Sequence, residues 1–352
     1  MKSSLCLVFL LCLSAAAQDT ALEQAGLGDV EPSVRPTPNP AARQAALNLL
    51  AQSGLLLIPE STNDRVMAFD PATGDLVDPD FIPADPDNLS TPICAIMGFD
   101  VNTILVSDQI DDVVQAYDRQ GNYLGVFAPA GGPDTSILDN VRGIALSDSG
   151  TLLVTVGGGA NDDAVAEFDS SGNFLGNFVA NAAGGLDSPF DIHGRAGDNL
   201  VGGISSDALH RYDASGNHIG DLASIDTFPE QVTEAAGGNI LIANFSGTQE
   251  GIMELNAAGG LVGIYNPASL GGYRGVYELP NGNLLCTNGN GVHEIDRAGN
   301  LVETKIAGVS ARFIEVLPPP ASVPTLGTKA LILLVGLMAA AGAVLLRRGR
   351  AA

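Results

Sequence analysis

The segment Ala-Glu-Phe-Asp-Ser-Ser-Gly-Asn-Phe-Leu-Gly, residues 166–176, decides the fold, because the chain contains six versions of it. Each version reads as a strand that ends in Asp or Asn, a tight turn through glycine, and a second strand. The anchoring positions lie 40 to 51 residues apart and are Asp70, Asp118, Asp169, Asp213, Asn256 and Asp296. A repeat of this length predicts a β-propeller with four strands per blade.

A second repeated element precedes every copy except the first. In residues 142–156 and 274–288, for example, an Arg-Gly pair begins a short apolar run, and a glycine-containing turn leads to a second apolar run. This element supplies two strands, and the first element supplies two more. The sequence therefore predicts an all-β fold, a six-bladed propeller with four-stranded blades, over residues 54–317.

The first blade lacks its leading strand, and the missing strand occurs at the other end of the repeats. Residues 311–317 (Ala-Arg-Phe-Ile-Glu-Val-Leu) look like residues 273–279 (Tyr-Arg-Gly-Val-Tyr-Glu-Leu), which start the last complete unit. We therefore expect the C-terminal strand to join the three N-terminal strands. Such a closure removes two exposed sheet edges, which are aggregation hazards.

The Asp-x-x-Gly-Asn turns admit two interpretations, a calcium loop and a structural turn. A calcium loop of the EF-hand type needs oxygen ligands at alternate positions and a glutamate at position twelve, and none of the six copies has them. An aspartate that accepts backbone hydrogen bonds, followed by a glycine with positive φ, accounts for the motif as a hairpin turn.

Both ends of the chain read as targeting segments. Residues 1–17 combine Lys2, an apolar run and Ala15-Ala16-Ala17, which predicts a cleaved signal peptide; the run is short for a membrane anchor. Ala330–Leu346 is uncharged and apolar and precedes three arginines, which predicts one membrane helix with its C-terminus in the cytoplasm, although a buried core helix would also be apolar.

These observations divide the chain into five segments. Pro40–Gln52 could form a short helix capped by Asn39 within the second of them. The segments are a signal peptide (1–17), a proline-rich linker (18–53), the propeller (54–317), a spacer with a sorting motif (318–326), and a transmembrane helix with an arginine-rich tail (327–352).

Composition narrows the classes of partner. The chain has 40 acidic and 16 basic side chains, a net charge of −24, and 45% apolar residues. A nucleic-acid partner is not expected, because binding phosphates needs a basic face. The apolar fraction excludes a wholly disordered chain.

Two resemblances follow from these patterns. The repeated aromatic-Asp-x-x-Gly-Asn and Arg-Gly-Ile/Val motifs resemble NHL and SMP-30/gluconolactonase-like six-bladed propellers. Val323-Pro324-Thr325-Leu326, followed by an apolar segment and arginines, is similar to the IPTL-CTERM sorting tails of bacteria. The second resemblance implies an exosortase-type partner enzyme and a protein that is placed at the cell surface or released after cleavage of its tail.

Aligned repeats place one residue of each inner strand at the same end of the ring: Ile93, Arg142, Phe190, Glu230, Arg274 and Arg312. Three arginines at one repeat position, with Glu230 beside them, suggest a channel mouth that binds an anionic ligand through guanidinium groups. The alternative is that each arginine pairs with an acidic group on a neighbouring blade.

A divalent cation is the only cofactor that the sequence suggests. SMP-30-like lactonases hold a metal in the channel with acidic and amide side chains, and Glu230, Asp191 and His193 are the weak candidates here. Isolated polar residues on inner strands are the alternative, since three ligand types without a spacing signature are a weak signal. The other histidines, His210, His218 and His293, are expected at the surface, and Cys94 and Cys286 are expected as buried thiols.

The sequence contains no nucleophile elbow, P-loop or HExxH motif. The favoured function is therefore an exported, non-catalytic binding module for an unknown surface or extracellular ligand. A metal-dependent hydrolase with its site in the channel is the main alternative, and a structural component of an extracellular matrix is the second.

Overall fold

The computed structural model describes residues 39–320, which comprise one α-helix, two short 3-10 turns and 24 strands. The helix, α1, is Pro40–Gln52. The first twelve strands are β1 (Leu55–Glu60), β2 (Arg65–Phe69), β3 (Leu76–Ile82), β4 (Pro92–Met97), β5 (Thr103–Asp108), β6 (Val113–Asp118), β7 (Tyr123–Ala128), β8 (Val141–Leu146), β9 (Leu152–Val156), β10 (Ala164–Phe168), β11 (Phe174–Val179) and β12 (Pro189–Arg195). The others are β13 (Asp198–Gly203), β14 (Ala208–Tyr212), β15 (His218–Ser224), β16 (Pro229–Glu234), β17 (Ile240–Asn244), β18 (Gly251–Leu255), β19 (Leu261–Tyr265), β20 (Gly275–Glu278), β21 (Leu284–Asn288), β22 (Gly291–Ile295), β23 (Leu301–Ala307) and β24 (Glu315–Leu317).

The strands form six antiparallel sheets of four strands, which are the blades of a six-bladed propeller and confirm the predicted fold. Blade 1 contains β24, β1, β2 and β3, from the axis outward. Blades 2 to 6 take the next strands in chain order, so β4, β8, β12, β16 and β20 are their inner strands. We call the face where the chain enters the inner strands the first face, and the face with the hairpins that leave them the second face.

The C-terminal strand closes the ring as the repeat predicted. β24 pairs with β1 in antiparallel register, with Leu55 opposite Leu317 and Leu57 opposite Glu315. Apolar side chains continue the closure between blades, since Leu56 and Phe69 of blade 1 pack in one buried cluster with Leu285 of blade 6. The closure therefore leaves β1 paired on both edges, with β2 on one side and β24 on the other.

Burial falls from the axis to the rim. The second and third strands of each blade are almost wholly buried, because they lie between two neighbouring blades. The outer strands of blades 2 to 6 are half-buried or exposed over most of their length, whereas β3 of blade 1 is more buried. Each outer strand of blades 2 to 6 exposes an apolar residue at the same repeat position: Leu124, Leu175, Ile219, Val262 and Val302.

The repeated turns carry the predicted hydrogen bonds and one further constraint. Asp169 Oδ1 accepts from the backbone N–H of Ser171 at 2.8 Å and of Asn173 at 3.0 Å. Gly172 has φ +76°, and a Cβ on it would lie 1.8 Å from the carbonyl oxygen of Phe127 in the outer strand of blade 2. Glycine is therefore required both for the turn and for the contact between blades.

A second set of aspartates, which the sequence did not single out, ties blade 2 to blade 3 and blade 3 to blade 4 on the first face. Asp112 and Asp163 have positive φ values of 54° and 56°. Their carboxylates accept hydrogen bonds from the backbone N–H of Asn140 and Ser188 at 2.6 and 2.7 Å, just before the inner strand of the following blade begins. The ring thus has polar ties near both faces.

Helix α1 packs against blade 1. Asn39 caps it through its side chain, which accepts from the N–H groups of Ala41 and Ala42. Leu50 is buried, and Arg43 lies 3.1 Å from Asp78 and donates to the carbonyl oxygen of Asp80 at 2.8 Å on β3. The helix therefore covers the outer strand of blade 1.

The signal peptide, the sorting motif and the apolar C-terminal segment lie outside the described residues. Within residues 39–320, no helix is both long enough and apolar enough to cross a membrane.

Replacing Gly172 by alanine should destabilise the ring. Alanine would be strained in the left-handed backbone at this position, and its Cβ would clash with the Phe127 carbonyl oxygen. We therefore expect the free energy of unfolding, measured by urea titration, to fall by about 3 kcal/mol. Gly237→Ala is the control, since a Cβ there meets no atom within 4 Å, and it should change stability by less than about 0.5 kcal/mol. Equal effects of the two substitutions would contradict this account of the repeat.

Candidate functional site

The three arginines of the predicted channel mouth lie at the first-face end of the inner strands, and all three are buried. Arg142, on β8, donates from Nη1 to Ser188 Oγ at 2.9 Å and to the carbonyl oxygen of Pro189 at 3.1 Å. Its guanidinium carbon is 4.7 Å from the centroid of the Phe190 ring. Arg142 therefore joins blade 3 to blade 4 through hydrogen bonds and a cation–π contact.

Arg274 and Arg312 make similar contacts around the junction of blades 5, 6 and 1. Arg274 Nη1 donates to Ser310 Oγ at 2.7 Å, and its guanidinium lies 5.6 Å from the Phe245 ring of blade 5. Arg312 Nε donates to Ser61 Oγ at 3.2 Å. Glu230 is also buried, at the same end of β16. The structure thus brings the four predicted residues to one end of the ring; anion binding by them stays a prediction.

Phenylalanines fill the axis at this end. Phe190 of blade 4 and Phe313, just before β24 of blade 1, have no exposed surface, and their ring centroids are 5.9 Å apart. Phe228 extends the stack at 5.8 Å from Phe190. Because blades 1 and 4 are opposite in a ring of six, these rings meet across the axis and close it with apolar surface.

Polar side chains bridge the inner strands below the phenylalanines. Asp191 Oδ2 on β12 accepts from the N–H of Val232 on β16 at 2.8 Å. Gln231 donates from Nε2 to the carbonyl oxygen of Ile314 at 2.8 Å, and its Oε1 accepts from the N–H of Val276 at 2.9 Å. These side chains satisfy backbone groups on strand edges that have no neighbouring strand.

The glycines of the Arg-Gly pairs allow the inner strands to approach closely. A Cβ on Gly143 would lie 2.4 Å from Asp191 Oδ1, and a Cβ on Gly275 would lie 2.6 Å from the carbonyl oxygen of Arg312. The Arg-Gly motif is therefore explained by packing between blades, since each glycine makes room for a group from the next blade.

An axial cavity of about 190 Å³ lies between the inner strands on the second-face side. Asp191, His193 and the half-buried Glu315 line it, together with apolar residues of β4, β8 and β16. Burial raises the pKa of Asp191 to about 7. Burial, and then repulsion from Asp191, raises the pKa of Glu315 to about 8. Two carboxyls that hold protons near neutral pH thus face one small cavity, and Glu315 escaped the sequence analysis because its repeat position is otherwise apolar or variable.

The three metal candidates from the sequence do not form one group. Asp191 and His193 both line the axial cavity, where His193 also lies 3.8 Å from Glu234, whereas Glu230 lies near the first face. Among the described residues, one group of three brings metal-ligating atoms within 4.8 Å of one another, and it consists of His210, His218 and Asp221.

The expectation that the other histidines lie at the surface is wrong for two of them. His210 and His293 are only 2% and 4% exposed. Both are on third strands, β14 and β22, which lie between a second strand and an outer strand and face the neighbouring blade. Cys94 and Cys286 are buried free thiols, as expected, and burial raises the pKa of both.

A polar cleft of about 250 Å³ opens on the second face between blades 3 and 4. One side is the hairpin after β8, with Ser147, Asp148 and Ser149; the other is the hairpin after β12, where Arg195 Nη2 lies 3.0 Å from Asp198 Oδ2. Hydroxyl, carboxylate and guanidinium groups therefore line this cleft, whereas two carboxyls and one imidazole line the axial cavity among apolar side chains.

Comparison with known proteins gives a sequence match for the C-terminal tail and structural matches for the propeller. Residues 321–348 match the IPTL-CTERM motif family. This motif indicates an exported protein that is sorted to the cell surface. No curated protein matches the chain.

Solved structures that are similar to the body are distant in sequence. A protein of unknown function from Bacteroides caccae is 18% identical with a TM-score of 0.52, covering 75% of this chain and 99% of that chain. The nidogen/laminin complex gives 15% identity, a TM-score of 0.58 and coverages of 76% and 99%. A gluconolactonase from Xanthomonas campestris gives 14% identity, a TM-score of 0.54 and coverages of 81% and 92%. At these identities the similarity shows the fold alone.

The cavity carboxyls should make the fold more stable in mild acid. A carboxyl with a raised pKa in the folded chain stabilises it fully below the unfolded pKa, near about 4, and this contribution is lost as pH rises through the folded pKa. We therefore expect unfolding free energy to fall between about pH 5.5 and pH 8.5, and Glu315→Gln to reduce that fall by roughly 1–3 kcal/mol.

The exposed Asp148 provides the control, because its removal lowers the negative charge without changing a buried group. Urea titrations at both pH values should show the wild-type slope in Asp148→Asn and a shallower one in Glu315→Gln. If Glu315→Gln keeps the wild-type dependence, the carboxyl does not hold a proton in the folded state.

Proposed function

We propose that this protein is an exported, cell-surface β-propeller that acts as a non-catalytic binding module for a polar ligand. The observation that carries the proposal is that the ring is closed by apolar side chains at its axis and open to solvent at a polar cleft. The axis is filled at the first face by phenylalanines, while a polar cleft opens on the second face. The sorting motif supports the location of this module outside the cell.

The interior contacts support a structural role for the residues around the axis. Arg142, Arg274 and Gln231 each join different blades through side-chain hydrogen bonds. Hydrogen bonds between blades make the ring rigid, so its hairpins stay in fixed positions. A preorganised binding surface lowers the entropic cost of binding a ligand.

The polar lining of the cleft favours a ligand rich in hydroxyl groups, such as a polysaccharide of the cell surface. Ser147 Oγ lies 2.8 Å from Ser149 Oγ and 2.7 Å from Thr151 Oγ1, so hydroxyl groups are already ordered along one wall. Preordered donors and acceptors recognise sugar hydroxyls without a large rearrangement.

Filling the cleft should weaken ligand binding. We expect the exported protein to bind one or more members of a panel of purified bacterial polysaccharides by calorimetry, and Ser149→Trp to weaken that binding at least about tenfold. Ser205→Trp, an equally exposed serine on the first face, should bind as the wild type does. Wild-type protein that binds no member would favour the structural-matrix alternative, and equal affinity in both variants would place the ligand elsewhere.

We further propose that the tail is a single membrane anchor that an exosortase-type enzyme processes near Pro324 and Thr325. Replacing both residues with alanine in the native host should leave the full-length chain in the membrane fraction, while the wild type reaches the surface with a smaller mass. Pro319→Ala, in the spacer, is the matched control and should be sorted normally. Normal surface placement of the doubly substituted chain would contradict this part of the proposal.

A metal-dependent hydrolase is the second candidate, and the facing carboxyls of Asp191 and Glu315 favour it. Paired carboxyls with raised pKa values can donate and accept protons near neutral pH. Under our proposal, the wild type will not hydrolyse a panel of sugar lactones with or without added divalent cations. Hydrolysis that disappears in Asp191→Asn/Glu315→Gln but persists in Glu303→Gln, on an outer strand, would establish the enzyme instead.

A further inference from the structure

A cluster of two histidines, a carboxylate and a serine lies on the outer hairpin of blade 4, away from the axis. His210 is on β14, His218 and Asp221 are on β15, and Ser206 is in the turn before β14. In the strand pairing, His210 is opposite Asp221, and His218 is opposite Tyr212. The hairpin register therefore brings the two histidines to one carboxylate.

One oxygen of Asp221 is the focus of the cluster. His210 Nδ1 is 2.8 Å from Asp221 Oδ1, and His218 Nε2 is 3.0 Å from the same oxygen. The imidazole rings meet edge to face with centroids 5.8 Å apart. Two nitrogens and one oxygen thus converge from three side chains, at separations that ligands of one small cation adopt after a slight expansion.

The surroundings fix the ring of each histidine. His210 is only 2% exposed, and its other nitrogen, Nε2, is 2.7 Å from Ser206 Oγ. With Nδ1 used for coordination, Nε2–H donates to this hydroxyl, and an acceptor for the second ring nitrogen fixes the tautomer and orientation of a metal-binding histidine. A Cβ on Gly184, in the turn that follows the outer strand of blade 3, would lie 2.2 Å from the His218 ring, so this glycine makes room for the ring next to blade 3.

The charges suit a cation. Asp221 is half-exposed and carries the negative charge of the group, while burial lowers the pKa of His210 and so favours its neutral, metal-binding form. Two imidazoles and one carboxylate are the donor set of zinc and of other divalent first-row metals, and the exposed side of Asp221 leaves room for a water ligand.

We propose that His210, His218 and Asp221 form a binding site for one divalent transition-metal ion of the zinc class, with Ser206 positioning His210. The ion would link β14 to β15 and hold the His218 ring against blade 3, so it would stabilise the junction of blades 3 and 4. This site is distinct from the axial cavity and does not depend on the proposed function.

The line Ser206–His210–Asp221 also matches the hydrogen-bond order of a serine hydrolase triad. Two observations favour the metal. A second histidine shares the Asp221 oxygen, and Asp221 is half-exposed, whereas the acid of a triad is normally buried and dedicated to one histidine.

Metal titration of the whole exported protein tests the site. After dialysis against chelator, we expect calorimetry to show one zinc ion bound per chain, a higher melting temperature with zinc, and visible absorption bands of tetrahedral cobalt when Co²⁺ replaces it. His218→Ala and Asp221→Asn should each lose at least about 100-fold in affinity, and Ser206→Ala about 10- to 100-fold.

The matched control is His293→Ala, which removes a buried histidine at the same repeat position as His210 but outside the cluster, and this variant should bind zinc as the wild type does. Melting in chelator shows that each variant is folded, and His218 is exposed enough for its replacement to be tolerated. Absence of zinc binding in the wild type, or unchanged affinity in folded His218→Ala, would overturn the proposal. Labelling of Ser206 by a fluorophosphonate, with melting unaffected by zinc, would overturn it in favour of a serine nucleophile.

Discussion

Every inner strand of this ring has one edge without a neighbouring strand, and the backbone groups on that edge need hydrogen-bond partners. Asp191 and Gln231 supply them by reaching from one blade to the next, and Thr287 Oγ1 does the same for the carbonyl oxygen of Arg312 at 2.6 Å. The same reach requires glycine at positions 143 and 275, where the strands come closest. Satisfying these edges fixes the width of the axis, and the phenylalanine stack fills the space that is left.

The local sequence pattern was enough to predict the fold, because the same turn motif recurs at a regular spacing along the chain. The Asp-x-x-Gly-Asn turns located the hairpins, and the likeness of residues 311–317 to residues 273–279 located the closing strand. These features depend on neighbours in the chain or on direct repetition, so a single sequence displays them.

Contacts between blades could not be predicted in the same way, since they join residues far apart in the chain. The aligned arginines were found at the expected end, but their contacts with Ser188 and Ser310 depend on the geometry of the ring. Glu315 and the His210 cluster were missed for the same reason: each acquires its partner from another strand or from the strand register. A rule that third-strand residues face the next blade would have corrected the surface assignment of His210.

The closing strand also sets an order of events for a protein that leaves the cell. β24 is the last strand of the body to be made and translocated, yet it is the inner strand of the blade that begins at Leu55. Until it arrives, β1 keeps an open edge and the first and last blades cannot pack together. The ring can therefore close only when β24 is present, and a chain without this strand remains an open arc.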